Sequence, residues 1–213
     1  MSGILPDGCD PTSRREEVLA AAQRLFFERG YRGTTIQQIA ARAGYSKRTV
    51  YLDFLNKDEL FITVCAEGGG LILAELEGVA VGGPPVAEVV DRMLERFVVF
   101  SRDHGEYFRM IFSEATPEIV ANCSADLRAQ VAALERACLQ VLVRSVERAV
   151  AEGLIGPVDP WDVAGILVGT ATGIILLSMG GSQTVYSRKT REELVRQAVH
   201  AYWLGLRAQG APR

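Results

Sequence analysis

The stretch TTIQQIAARAGYSKRTVYLDFLNKDEL, from Thr34 to Leu60, permits few folds. Thr35 is a good N-cap, and Gln38 three residues on completes a capping box, so a helix is expected to start here. Ile36, Ile39, Ala40 and Ala43 recur at helical spacing and predict one buried face. Gly44 predicts its end, because glycine accepts a left-handed backbone at little cost. Ser46 then caps a second helix that runs to about Phe54, with Val50 and Phe54 inward. Lys47, Arg48, Thr49 and Tyr51 are left facing outward at its N-terminal end. Asn56 and Glu59 form another capping pair and open a third, longer helix.

Two helices joined by a glycine-containing turn, with donors at the start of the second, meet the requirements of a helix-turn-helix. In such a unit the second helix enters the major groove and its first residues meet base edges. Lysine and arginine there can donate to guanine O6 and N7. Thr35, Ser46 and Lys57 lie at helix N-termini, where backbone N–H groups also attract phosphate. The competing reading is a helical hairpin whose basic residues are only a solvated face. Charge favours the first. Residues 13–57 hold nine Lys or Arg and four Asp or Glu, a net +5. Residues 58–213 hold fourteen and twenty, a net −6, and Asp7 and Asp10 bring the total to −3. A basic segment on an acidic body is the footprint expected of a duplex-binding module.

The segments RLFFERGYRGTT, IQQIAARAGYSKRTVYLDF and NKDEL together resemble the DNA-binding domain of TetR-type transcriptional regulators, without gaps over roughly residues 13–60. The resemblance implies that Lys47, Arg48 and Tyr51 approach bases while Thr35, Ser46, Thr49 and Lys57 hold phosphates. It departs at Leu52 and Asp53, where the family often has aromatic residues or histidine. Asp53 would repel phosphate, so neither position is expected to contact DNA.

Upstream, residues 1–12 are rich in Gly, Pro and Asp and read as a disordered tail. They lack the basic start and apolar core of a signal peptide. Thr12 or Ser13 caps a first helix whose Val18, Leu19, Ala22, Leu25 and Phe26 repeat at helical spacing, and Gly30 ends it. Glu16 and Glu17 suit the positive end of its dipole. Strand signals are scarce, so the class is all-α: an N-terminal three-helix DNA-binding domain (13–60) followed by a helical ligand-binding and dimerisation domain (61–213). The cysteines at 9, 65, 123 and 138 form no close pairs and match no zinc spacing, which suggests reduced thiols in a cytoplasm. Cys65 and Cys138 fit core positions; a redox role for Cys123 is a minor alternative.

In the second part, Gly68, Gly69 and Gly70 fall inside the third helix of the series. Each glycine there costs about 0.8–1 kcal/mol relative to alanine, so either a bend or a very close neighbouring backbone is expected. Gly82 to Pro85 break the chain. Helices are expected over Val86 to Asp103 and from about Ser124 to Glu152, with a short apolar stretch from Tyr107 to Phe112 between them. Val163 to Met179 carries no charge, but at 17 residues it is short for a membrane span and lacks flanking basic clusters. A helix buried on nearly all sides explains it better. Gly165, Gly169 and Gly173 form a smooth stripe on it. With Val195, Val199 and Tyr202 of the last helix, Glu192 to Leu206, they are the candidate dimer interface, because the last two long helices of TetR-type proteins pair with their copies.

The resemblance also implies an inducer cavity in this part. Its candidate lining is Met93, Phe97, Phe100, His104, Tyr107, Phe108, Asn122, Trp161 and Thr170, with Met110, Phe112, Thr172 and Tyr186 in support. Such a lining suits a hydrophobic or amphipathic effector, although aromatic residues at helical spacing also build ordinary cores. The chain has no phosphate-cradling glycine loop, metal-ligand cluster or nucleophile motif, and only two histidines, His104 and His200. An enzyme, a metal site and a bound cofactor are therefore not expected. The expectation is a cytoplasmic homodimer released from a palindromic operator by a small molecule; the alternative is an activator or architectural dimer without an inducer.

Overall fold

A computed structural model describes residues 11–80, 85–179 and 189–210, and every regular element among them is a helix. The tail up to residue 10, the break at 81–84 and Tyr186 lie outside these residues. The chain divides into two compact units that are not contiguous in sequence. The first takes residues up to Glu67 together with Glu114–Gln130; the second takes Gly68–Ser113 and Val131–Arg213. Glu114–Gln130 thus belongs with the first unit although it lies far along the chain.

The first unit is built on α1 (Pro11–Arg29), α2 (Ile36–Ala43) and α3 (Lys47–Asp53). It also holds the start of α4 (Lys57–Ala80). The capping chemistry acts as expected. The Thr35 hydroxyl accepts from Gln38 N and the Gln38 side chain accepts from Thr35 N, closing the box. Gly44 ends α2 at φ +79°, in the left-handed region where a side chain is strained. The Ser46 hydroxyl accepts from Thr49 N at 3.1 Å and starts α3. Asn56 Oδ1 accepts from Glu59 N at 2.8 Å and starts α4. The apolar faces of these helices meet around Phe26 and Phe61, both fully buried. Their rings stand edge to face at 5.1 Å, with Tyr31 edge-on to Phe61 at 5.0 Å.

The segment that joins this unit from later in the chain contains α7 (Pro117–Ala121) and the start of α8 (Ala125–Ala151). Pro117 begins α7 rather than closing the helix before it, because its missing N–H is no loss at a helix start. Hydrogen bonds fasten the segment. Glu114 Oε2 accepts from Tyr31 N at 2.8 Å. Asn122 donates to Asp58 at 2.8 Å, and its carbonyl accepts from the Asn56 side chain at 2.8 Å.

The second unit contains the remainder of α4, then α5 (Val86–Asp103) and α6 (Gly105–Arg109). A π-helical turn, Met110–Glu114, continues directly from α6. The remainder of α8 follows, then α9 (Pro160–Met179) and α10 (Arg191–Gly210). The glycine triplet neither breaks α4 nor meets another backbone. A Cβ on Gly68 would lie 2.5 Å from Cδ1 and 2.8 Å from Cγ of Tyr107, and one on Gly69 would lie 2.7 Å from a Leu134 methyl. Nothing comes within 4 Å of that position on Gly70. Two of the three glycines thus make room for side chains from later in the unit. Gly68→Ala is expected to destabilise by about 1–2 kcal/mol, overpacking against the root of a buried ring outweighing the gain in helix propensity. Gly70→Ala should stabilise by about 0.5–1 kcal/mol through propensity alone. Urea unfolding of both variants checks this, and shifts of the same sign would refute the packing account.

Helix α9 departs from expectation. Val163, Ala164, Leu167, Ala171 and Ile175 are buried, but they occupy one face only. Gly165, Gly169 and Gly173 have open space where a Cβ would be, and Ile166 and Leu177 are 47% and 62% exposed. The helix is long and apolar enough, by length and composition, to cross a membrane. The expectation of burial on nearly all sides is corrected: α10 covers one face, and no described helix covers the other.

Candidate nucleic-acid interface

Helix α3 is held by its inner face. Val50 is fully buried and Phe54, its C-cap, is nearly so. The N-terminal turns of α1 clamp the far end of α3. Arg14 forms a two-pronged ion pair with Asp53, at 2.8 and 2.6 Å, and Arg15 stacks on the Phe54 ring at 4.7 Å. The pair holds the Asp53 carboxylate, which is not expected to contact DNA, inside the unit. The Tyr45 hydroxyl donates to Glu17 at 2.6 Å, and Arg42 pairs with Glu28 at 2.8 Å. These two contacts tie the flank of α2 to α1.

With its inner face fixed, α3 presents Lys47, Arg48 and Tyr51 to solvent, Tyr51 being 53% exposed. Ser46 and Thr35 are exposed at the starts of α3 and α2. Thr49 is half-buried beside them, its hydroxyl 2.8 Å from that of Ser46. Five of the seven sequence-predicted contacts thus lie between Ser46 and Tyr51, and Thr35 is exposed at the start of α2. Lys57 is turned differently. Its ammonium donates to the carbonyls of Tyr31 at 3.1 Å and Thr34 at 3.2 Å, and sits 3.8 Å from the Tyr31 ring centroid. Two of its three protons therefore brace the loop before α2, which leaves at most one for a phosphate. Burial pulls its pKa down, against the pull of Asp58. Burial pushes the Tyr31 phenol up, reinforced by its hydrogen bond to Asp58, so Tyr31 stays a donor.

The basic first turn of α3 and the hydroxyls beside it can donate to the guanine edge and to phosphates. A family model described as bacterial regulatory proteins, tetR family, matches residues 18–64, and a second, the tetracyclin repressor-like C-terminal domain, matches residues 90–202. The chain belongs to the TetR family. As a TetR-family chain it is a helical transcription regulator, and its relatives are regulators rather than enzymes. It is 28% identical over 103 residues to the HTH-type transcriptional regulator YerO of Bacillus subtilis, which covers 47% of this chain and 36% of that protein. A protein of unknown function from Rhodococcus sp. RHA1 has the same fold, with a TM-score of 0.74, 24% identity and coverage of 95% and 99% of the two chains. AibR, solved with isovaleryl coenzyme A and operator DNA, superposes with a TM-score of 0.65 at 26% identity, covering 88% and 97%.

The effector candidates of this TetR-family chain fall in several places. Met93, Phe97, Phe100, Tyr107 and Phe108 are buried. Phe97 lies 5.5 Å from Phe108 and 5.6 Å from Phe112, and Phe100 lies 5.1 Å from His104. His104 and Thr170 are exposed, and Trp161 lies 4.7 Å under the Arg136 guanidinium. Asn122 belongs to the first unit, where its side chain and carbonyl are spent on Asp58 and Asn56. An open groove of about 860 Å³ lies between α5 and α10 of the second unit. Its floor is Leu94, Val98, Val195 and Val199, and charged side chains such as Arg92 and Glu192 rim it. None of the nine candidates lines it. Val195 and Val199, expected at the dimer interface, are 1% exposed and packed within their own chain. Tyr202 is half-buried. Sequence spacing could not distinguish these roles, because a face that packs on α5 and one that packs on a second copy carry the same apolar period.

Cys123 is buried and its thiol is pushed up to about 11, chiefly by burial and then by Glu59 and Asp58. Burial raises Cys138 to about 11 as well, and raises Cys65 further. Thiols held protonated in this way make poor thiolate nucleophiles, which argues against a redox sensor at Cys123. Cys9 lies outside the described residues.

Proposed function

We propose that this chain is a ligand-responsive repressor that binds a palindromic operator as a homodimer in the cytoplasm. The observation that carries the reading is the clamped α3 with Lys47, Arg48 and Tyr51 facing solvent, since the clamp from α1 presets the reading surface without ordering it on contact. One such helix reads few base pairs. Two held about 34–36 Å apart read successive major grooves of a palindrome. The uncovered face of α9, with its glycine stripe and exposed Ile166 and Leu177, suits a close helix pair from a second copy. AibR carries isovaleryl coenzyme A and operator DNA in its structure, which supports an effector for this chain too. The groove between α5 and α10, with an apolar floor and a rim of both charges, suits an amphipathic molecule. An effector favouring an arrangement that spaces the reading helices differently shifts the population off DNA. A coupling of about 1–3 kcal/mol is ordinary for such a switch.

Selection from pooled random duplexes at near-physiological salt tests this reading. Recovery of a palindrome with half-sites about one helical turn apart, bound at a mass of two chains per duplex, is expected. The absence of any enriched motif, or enrichment of an asymmetric single half-site bound by one chain, would sink it.

A further inference from the structure

The surface of α3 has two chemically distinct halves. Its first turn is cationic, carrying Lys47 and Arg48. Its second turn is apolar. Leu52 is 61% exposed, next to Tyr51 at 53%, and Leu55 just beyond the helix is 62% exposed. The acid that could have made this half polar, Asp53, is withdrawn into its pair with Arg14, its side chain 9% exposed. A single exposed leucine on a protein surface carries no message. Leu52 is distinguished by its place. It follows Val50, which is fully buried, by two residues, and so stands roughly opposite it around the helix. Arg48 precedes Leu52 by four residues and shares that outermost line. The line of α3 opposite its buried Val50 therefore carries one guanidinium and one isobutyl group.

The major-groove edges of bases offer donors, acceptors and one apolar group, the C5-methyl of thymine. A leucine pressed on any other edge would strip water from a donor or acceptor and return no hydrogen bond. We propose that Leu52 is a specificity-determining residue that packs on a thymine methyl in each half-site. This inference rests on the DNA-reading role argued above and assigns one position of the operator. Arg48 and Leu52 are separated by roughly 6 Å along the helix axis, about two base-pair steps of 3.4 Å. The thymine thus falls in the same half-site as the guanine that Arg48 can take, about two steps away.

The test uses the full-length protein and the operator recovered by selection, with each thymine replaced in turn by deoxyuridine, which lacks only the methyl. Wild-type protein should bind about fourfold more weakly for one replacement at a single position per half-site, and about fifteenfold for both, the loss of one buried carbon at each. Leu52→Ala should bind thymine and uracil operators alike at that position while keeping the wild-type response at every other. Because Leu52 is exposed, thermal melting of the variant should match wild type. A wild type indifferent to every replacement, or an Ala variant that keeps the full wild-type discrimination, overturns the inference while leaving the DNA-reading role intact. Failure to recover any operator overturns both.

Discussion

Phe61→Ala is expected to destabilise the first unit by about 3–5 kcal/mol, the range for truncating a large core aromatic. Phe61 is fully buried and receives two aromatic edges, from Phe26 on α1 and Tyr31 in the loop that follows. Removing its ring leaves a void between α1 and α4 and also frees Tyr31. Tyr31 is itself bound to Asp58 through its hydroxyl, to Lys57 through its carbonyl and to Glu114 through its N–H. One truncation therefore loosens the loop that sets the start of α2. Against a typical total of about 5–15 kcal/mol, this is a large fraction of stability. Chemical denaturation followed by circular dichroism measures it, and DNA affinity should fall with the folded fraction. A loss under about 1 kcal/mol would show that the site collapses around the smaller residue and that Phe61 does not organise the unit.

The double variant Lys47→Ala, Tyr51→Ala should bind the selected operator at least about thirtyfold more weakly, at about 1–3 kcal/mol for each lost contact. Both side chains face solvent, and neither makes a hydrogen bond or ion pair with a described residue. Thermal stability should therefore be unchanged, which separates this loss from the one at Phe61. Replacing Lys47 alone, one charge in each of two half-sites, should also reduce the salt dependence of binding, by at most about two counterions per operator. Fluorescence anisotropy over a salt series reads both quantities. Unchanged affinity would mean that the helix pair from Ile36 to Asp53 is a structural hairpin, and the function would have to be sought in the second unit.

Much of the first unit was legible in the sequence because its determinants are local. A capping box spans three residues, a left-handed glycine acts at one position, and a helix face repeats within two turns. Thr35 with Gln38, Gly44, Ser46, and the inward pair Val50 and Phe54 all belong to this kind, and each acts in the structure as its spacing predicts. Val86–Asp103 and the long helix from Ala125 to Ala151 were legible for the same reason. The exposed side of α3 followed by subtraction, once its buried positions were assigned.

The residues that required tertiary structure are those whose partners lie far away in sequence. Asp53 read alone is a charge that repels phosphate; Arg14, thirty-nine residues earlier, makes it a clamp. Lys57 read alone is a phosphate ligand; the carbonyls of Tyr31 and Thr34 make it a brace. Gly68 and Gly69 showed that something approaches α4, but only the fold identifies Tyr107 and Leu134 as what approaches. Val195 and Val199 carried an apolar period compatible with two partners, and packing assigned them to their own chain. By itself, then, the sequence determined the helices, their caps and the outward donors of the reading helix, because these depend on free-energy differences among near neighbours. The tertiary structure decided which charges are neutralised, which apolar faces are already covered and where a groove opens, because each depends on contacts between segments that no local spacing brings together.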